Sequence, residues 1–322
     1  MADSRNKPST DDVGRAVAAC LSRHARPGGS VTVGFSGGLD STVLLHATNR
    51  VANQAGLGLA ALHVHHGLSR HADVWADSCS NLCDSLGIPI TVLRVEVPVR
   101  SGEGLEAAAR RVRHKALSDQ SADWVLLAHH ANDQAETILH NLLRGTGVRG
   151  AAAMPESRGR VLRPLLGLGR AVLLQYARTH SLEWIEDESN LDLRYTRNFL
   201  RREIIPAIAS RFPRASEQLA SAAGHFGETD ALLDDLAVLD LGPRRPEFPM
   251  PLTLFRQLSD ARGRNLLRAM LGWHRVQPPD ERRLKEFVRQ LRTAGKDRHP
   301  RLDLSRYSLW CEAGSLHFKV PD

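Results

Sequence analysis

Cysteine is scarce. Four occur in 322 residues, Cys20, Cys79, Cys83 and Cys311, unevenly placed and without a C-x-x-C pair. This excludes a disulfide framework and makes a reducing cytoplasm the expected location. No stretch of about 18 apolar residues occurs, so no membrane span is expected. Met1 to Lys7 lack the apolar core of a signal peptide. Two common nucleotide motifs are also missing. There is no G-x-x-x-x-G-K-[ST] phosphate loop. The one G-x-G-x-x-G by letter, Gly145 to Gly150, follows a helical pattern instead of a strand, which excludes a dinucleotide reading. His63, His65, His66, His71, His129 and His130 carry no paired metal spacing such as H-E-x-x-H. They read as polar loop residues near a nucleotide. Lysine is rare, at five of the 43 basic residues.

What is present is positive charge on an ordinary globular background. The net charge is +7 and the isoelectric point about 9.7. That balance suits a polyanionic partner such as nucleic acid, and arginine is the better phosphate fork. The length leaves room for two domains.

The chain is organised around Val31 to Ser41. The β-branched run Val31-Thr32-Val33-Gly34-Phe35 reads as a buried strand. Ser36-Gly37-Gly38 follows as a tight turn, and Thr42 onward opens a helix. A glycine turn between a strand end and a helix N-terminus forms an anion site. Backbone N–H groups can approach an oxygen cluster there, and the helix dipole favours negative charge. Ser36, Ser41 and Thr42 add hydroxyls. Asp40 adds a carboxylate, which would repel a phosphate unless Mg²⁺ bridged the two.

Strand and helix patterns alternate from there. Strands are expected at Leu59 to Val64, Ile90 to Val95 and Trp124 to Ala128. Helices are expected at Asp11 to His24, Thr42 to about Asn53, Ala72 to Leu86, Leu105 to Leu117 and Asp133 to Leu143. This is the pattern of an α/β fold with a doubly wound parallel sheet, whose ligands sit at the strand C-terminal ends. After Gly145 helices dominate, near Arg170–Thr179, Arg197–Ser210 and Ser216–Leu239. Prolines 243, 246, 249 and 251 then suggest a stiff linker. Beyond it, Leu284, Phe287, Val288 and Leu291 mark an amphipathic helix. Leu302 to Leu304, Tyr307 to Trp310 and Leu316 to Val320 read as short strands, the last two turning at Ala313-Gly314. The expected domains are 1–212, catalytic; 213–249, a helical connector with the linker; and 250–322, a small α+β domain.

Two further constellations stand out. Asp133 and Glu136, in Ala128 to Thr137, lie three apart after the fourth strand and share a helix face. They suit a cationic substrate group, or a capping box in which Asp133 caps the helix and Glu136 reaches back. Spacing leaves both readings open. Arg110 and Arg113 share a face of another helix and suit phosphates, or a solvated surface with a Glu106–Arg110 pair.

Ser36-Gly37-Gly38-Leu39-Asp40-Ser41 after a strand resembles the PP-loop of the ATP pyrophosphatase superfamily, an adenine nucleotide alpha hydrolase-like fold. Other motifs follow in order. They are His65-His66-Gly67-Leu68, Leu105 to Arg110, Asn132 to Thr137, Arg144 to Gly147, Arg163 to Leu166, Trp184 to Asn190 and Arg197 to Arg201. As a set, spanning about Val31 to Pro206, they resemble the tRNA(Ile)-lysidine synthase family. The part after the linker resembles that family's substrate-binding domain more loosely. The resemblance implies that ATP, with Mg²⁺ at Asp40, is held by Ser36, Gly37, Gly38, Leu39, Asp40 and Ser41. It implies adenylation of the wobble cytidine C2 oxygen in the CAU anticodon of tRNA(Ile). Free L-lysine then displaces AMP. Asp40, Asp133 and Arg110 are the implied catalytic residues, with Asp133 and Glu136 recognising lysine. Arg113, Arg197 and Arg201 are the implied tRNA or phosphate contacts, and a homodimer is implied as well. Many members have two aspartates where this chain has Asn132-Asp133. Many also carry a further C-terminal domain, whereas this sequence ends at Asp322.

Rival readings are a PP-loop tRNA thiolase, an amide-forming NAD or GMP synthetase, and a tRNA-binding protein with a vestigial pocket. Thiolases need paired cysteines, and Cys79-x-x-x-Cys83 has the wrong spacing. Glutamine-dependent synthetases need a glutaminase, and no such domain is visible. A full Ser-Gly-Gly-x-Asp-Ser argues against the vestigial pocket.

Overall fold

The structure is a computed structural model that describes residues 11–98, 104–186, 196–293 and 299–320. Asp187 to Asn190 of the expected motifs, and Met1 to Lys7, lie outside the described residues. The chain divides into two compact units, Met1–Gly227 and Glu228–Asp322.

In the first unit the alternation is as expected. The elements are α1 (Asp11–His24), β1 (Ser30–Gly34), α2 (Leu39–Ala55), β2 (Gly58–His65), α3 (Ala72–Ser85), β3 (Ile90–Arg94), α4 (Leu105–Ser118), β4 (Trp124–Leu126) and α5 (Ala131–Leu143). Then come α6 (Val148–Ala151), β5 (Ser157–Arg158), β6 (Val161–Leu162) and α7 (Arg170–Thr179). The strands form one sheet in the order β3-β2-β1-β4-β6-β5. Neighbouring strand residues face opposite sides. Ala61 and Leu126 join a core with α1, α2, α3 and α7, while Leu62 and Val125 pack against Leu117 of α4. Helices on both faces explain why β1 reads as a continuous apolar run.

β1 pairs in parallel with β2 on one side and β4 on the other. The α2 crossover leads from β1 to β2, so the C-terminal ends of β1 and β4 flank a topological switch point. That is where such sheets bind ligands. The loops after both strands carry the residues singled out above.

The sheet departs from a purely parallel one at its edge. β6 runs parallel to β4, but β5 runs antiparallel to β6. Strands of two residues show no period, so this hairpin is invisible to pattern reading. The expected helix Arg197–Ser210 is also interrupted. α8 (Thr196–Phe199) passes through a π-helical turn (Leu200–Ile204) into α9 (Ile205–Arg211). α10 (Ala215–Leu241) follows, and the boundary between the units falls within it.

In the second unit, part of the proline-rich stretch is strand. β7 (Met250–Pro251) pairs with β10 (Ser315–Lys319). Between them lie α11 (Leu252–Gln257), α12 (Asp260–Trp273), α13 (Glu281–Thr293), β8 (Arg301–Leu304) and β9 (Tyr307–Glu312). The sheet is antiparallel, in the order β7-β10-β9-β8. The four apolar residues of α13 are buried with Leu266, Met270, Leu309 and Leu316. Ala237 and Leu241 of α10 join this core, and buried Asp240 accepts from Arg262 of α12. The unit therefore begins inside the stretch expected as a connector.

Candidate active site

The loop after β1 is held by its own hydroxyls. Ser36 N–H donates to Ser41 Oγ at 3.2 Å, and the two seryl oxygens lie 3.0 Å apart. Ser41 Oγ donates to Gly38 O at 3.0 Å, and Thr42 Oγ1 to Gly37 O at 3.3 Å. Gly38 caps α2 without any side-chain cap, so the first N–H groups of this 17-residue helix keep no side-chain acceptor of their own. Gly37 has φ +83°, and a Cβ there would lie 2.6 Å from Ile185 Cδ1 and 2.9 Å from Cys79 Sγ. Glycine is required on both counts. Ile185 also donates its N–H to Gly37 O at 2.9 Å. The Trp184-Ile185 motif therefore clamps the loop.

Asp40, on the first turn of α2, faces the second loop. Its Oδ2 lies 3.4 Å from His130 Nε2. Its Oδ1 is buried without a hydrogen-bond partner among the described residues, and Arg170 Nε is 3.9 Å away. An orphaned carboxylate oxygen at the mouth of an anion cradle fits a hard divalent cation such as Mg²⁺.

His130 is the N-cap of α5 and is 3% exposed. Its Nδ1 accepts from Asn132 N–H at 3.2 Å, while its own N–H donates to Asp133 Oδ2 at 3.1 Å. The capping box is therefore His130 with Asp133. Glu136, expected to reach back in the capping reading, takes no part in it. Because Nδ1 accepts, the ring's single proton sits on Nε2, aimed at Asp40. Burial opposes a second proton. The bond to Asp40 and the charge of Asp133 favour one, and the balance raises the His130 pKa. Burial likewise works against the Asp133 charge, yet His130, His129 and Arg201 hold its pKa below the ordinary carboxylate value.

Asp133 and Glu136 do share a face, and that face holds a cation. Arg201, in the π-helical turn, donates through Nε to Glu136 at 2.5 Å. Its terminal nitrogen donates to Asp133 at 2.9 Å and to Glu136 at 3.1 Å. Glu136 is 1% exposed, and burial raises its pKa despite this partner. Arg197 donates to Thr137 Oγ1 at 3.1 Å. Asn132 accepts from Arg170 N–H at 3.0 Å and donates to Ser216 Oγ at 3.2 Å. The Asn132 side chain thus ties α5 to α7 and to the start of α10.

The charges of the α4 arginines are felt by histidines of these loops. Burial and then the Arg113 charge lower the His66 pKa. Burial also pushes His129 down, with Arg163, Arg113 and Arg110 adding to the shift. Arg163 is buried after β6, with Nε unpartnered among the described residues. Ser36 to Ser41 follow β1, Asp133 and Glu136 follow β4 with Arg197 and Arg201 packed against α5, and Arg110 and Arg113 lie on α4. The sequence does not single out Arg170, and it marks His130 only as a polar loop residue near a nucleotide and Ile185 only as part of the Trp184 to Asn190 motif. Histidine is an unusual cap, and the other two arrive through long-range contacts that leave no local signal.

All four cysteines are free and buried. Burial pushes the Cys79 thiol up to about 12 and the Cys83 thiol up to about 11.

A family model for a PP-loop domain matches residues 11–208, and a model for the TilS substrate binding domain matches residues 250–317. The tRNA(Ile)-lysidine synthase of Nitrosomonas europaea is 39% identical, with 100% of this chain and 72% of that one aligned. That of Aromatoleum aromaticum is 49% identical over 86% of this chain and 65% of its own length. That of Pseudomonas aeruginosa is 47% identical over 92% and 70%. Among solved structures, the U34-tRNA thiolase NcsA from Methanococcus maripaludis superposes with a TM-score of 0.57 at 17% identity, covering 68% of this chain and 79% of that one. This last likeness is one of fold.

Proposed function

The chain belongs to the tRNA(Ile)-lysidine synthase family, and from that premise we propose that it uses ATP to join free lysine to the wobble cytidine of the CAU anticodon of tRNA(Ile). The cytidine C2 oxygen attacks the α-phosphorus of ATP and pyrophosphate leaves. The lysine ε-nitrogen, having lost its proton, then attacks C2, and AMP leaves with the oxygen.

The observation that carries this reading is the pairing of an anion cradle with an orphaned carboxylate oxygen. Ser36 to Ser41 hold the phosphates through backbone N–H groups and hydroxyls. Asp40 would hold Mg²⁺, which when bound would supply charge neutralisation for the nucleotide's phosphates. His130 fixes the Asp40 carboxylate from its other side. Arg110 and Arg113, on α4, suit the nucleotide's or tRNA's phosphates.

Asp133 and Glu136 recognise the lysine ammonium. Arg201 already spans the two carboxylates. On this reading lysine enters as Arg201 swings out, one cation replacing another. A second reading has its own support: Asp133 closes the capping box, and the Arg201 pair alone satisfies Glu136. Lysine saturation of the two variants, given below, separates the readings.

The thiolase alternative fits less well. Cys79 and Cys83 are buried one helical turn apart, and their raised pKa values leave almost no thiolate near neutral pH. Asp40→Ala tests the ATP assignment. It should abolish tRNA-dependent pyrophosphate release while thermal unfolding stays cooperative. Near-normal release by the folded variant would overturn the role given to Asp40.

A further inference from the structure

The outer face of the second unit's sheet carries an arrangement that the reaction chemistry does not use. Strands alternate, so one face of β9 and β10 is core and the other is not. Tyr307, Leu309, Cys311 and Leu316 are buried in the core. Trp310 and His317 therefore stand on the opposite face.

The register aligns them. Trp310 lies opposite Arg301 of β8 and opposite His317 of β10. The row across three strands thus reads cation, indole, imidazole. The Trp310 and His317 rings stack with centroids 5.3 Å apart and planes 19° apart. The next row places Ser308 between Asp303 and Lys319. Arg301, Ser308, Trp310 and Lys319 line an open depression of about 330 Å³. That volume is at the low end for a small-ligand site and admits a flat ring system.

Two carboxylates share this face. Glu312 accepts from Trp310 Nε1 at 3.2 Å, which fixes the indole plane. Asp303 accepts from Arg301 Nε at 2.9 Å. That second pair is exposed on both sides. Exposed pairs are weak, so Arg301 can exchange a carboxylate for a phosphate at small cost.

We infer that this face is an RNA-stacking platform, on which an unpaired tRNA base lies against Trp310 while Arg301 and Lys319 hold the flanking phosphates. Three features favour RNA. A half-buried indole backed by a stacked imidazole offers a π-face that any base can use. Arg301 stands beside it across the sheet on β8, and Lys319 stands one row along on β10, so a cation lies on either side of the indole. The chain as a whole is positive by seven charges. The inference rests on the tRNA reading above and assigns that reading a surface in the second unit.

The test uses the full chain and tRNA(Ile) transcript at fixed salt. Trp310→Ala should weaken tRNA binding about 5- to 100-fold, the range found when a stacked aromatic is removed. Trp310→Phe, which keeps a ring, should stay within about threefold of the unsubstituted chain. Arg301→Gln and Lys319→Gln should each reduce the slope of log affinity against log salt by roughly one. If Trp310→Ala fails to fold, fluorescence decides. The tRNA-induced quenching of the unsubstituted chain should exceed that of Trp310→Phe by the Trp310 contribution. Affinity of a folded Trp310→Ala within twofold of the starting protein, or identical quenching, would overturn the platform. A chain that binds tRNA through Trp310 but ligates no lysine would instead overturn the proposed reaction and leave the platform standing.

Discussion

At the scale of single residues, Gly37 shows how a backbone requirement becomes a functional one. Its left-handed φ is shared by Gly56, where a Cβ would meet nothing within 4 Å. Gly37→Ala and Gly56→Ala should each lose about 1–2 kcal/mol from the left-handed conformation alone. Only Gly37→Ala should also raise the KM for ATP, because its Cβ collides with Ile185 and Cys79 and displaces the loop. Equal KM values in the two variants would contradict this. Asp133→Asn and Glu136→Gln address the lysine assignment. Each should raise the lysine KM or slow lysidine formation, while tRNA-dependent adenylation survives. Unchanged lysine saturation, with only about 0.5–2 kcal/mol of stability lost, would make the pair a cap and a structural ion pair. The Asp133–Glu136 face was legible from a spacing of three. Its occupant was not, because Arg201 lies 65 residues downstream of Glu136, and such contacts have no periodicity to betray them. Arg201, expected at tRNA or phosphate, is placed by the fold on carboxylates.

At the scale of elements, the first half of the chain was legible because each element buries a distinct pattern. α1 begins and ends where its apolar spacing does, burying Val13, Val17, Cys20 and Leu21. β1 ends where the glycine turn begins. The β5–β6 hairpin was not legible, since two-residue strands depend wholly on a neighbour. Glu156, just before β5, ties α1 to this edge through Arg23 at 2.6 Å and His24 at 3.2 Å. Burial pushes the Glu156 carboxyl up, but the Arg23 bond and charge outweigh it, and the folded pKa falls below the ordinary value. A depressed carboxylate stabilises above its unfolded pKa, about 4.3, and loses that contribution as pH falls through the lower folded value. Glu156→Gln should therefore unfold at a lower temperature than the original chain near pH 7. Because the pair is half exposed, the gap should be small, about 0.2–1 kcal/mol. It should close as pH falls through the lower folded value. A gap that is constant from pH 7 to pH 3 would show that the latch is not electrostatic.

At the scale of the whole molecule, the two units carry different parts of the account. The first unit holds the residues proposed for adenylation and lysine recognition, and the second presents the proposed stacking face. The second unit's core was foreseen at α13 and β9, where apolar spacing is clean. Its start was not, because the unit begins within α10, in the stretch expected as a connector, where Ala237 and Leu241 join that core. Binding of a polyanion by a chain of net charge +7 should release counterions. Affinity for tRNA should accordingly fall roughly tenfold or more between about 50 and 200 mM salt. A flat salt response would argue against phosphate contacts. The most direct measurement is a stoichiometric assay of the full chain with ATP, Mg²⁺, tRNA(Ile) bearing a CAU anticodon, and lysine or another amine. The account predicts one lysine incorporated for each AMP and each pyrophosphate released, with no incorporation when the wobble cytidine is replaced by uridine. Nucleotide consumption that ignores the wobble base, or tRNA modification that proceeds without lysine, would contradict it.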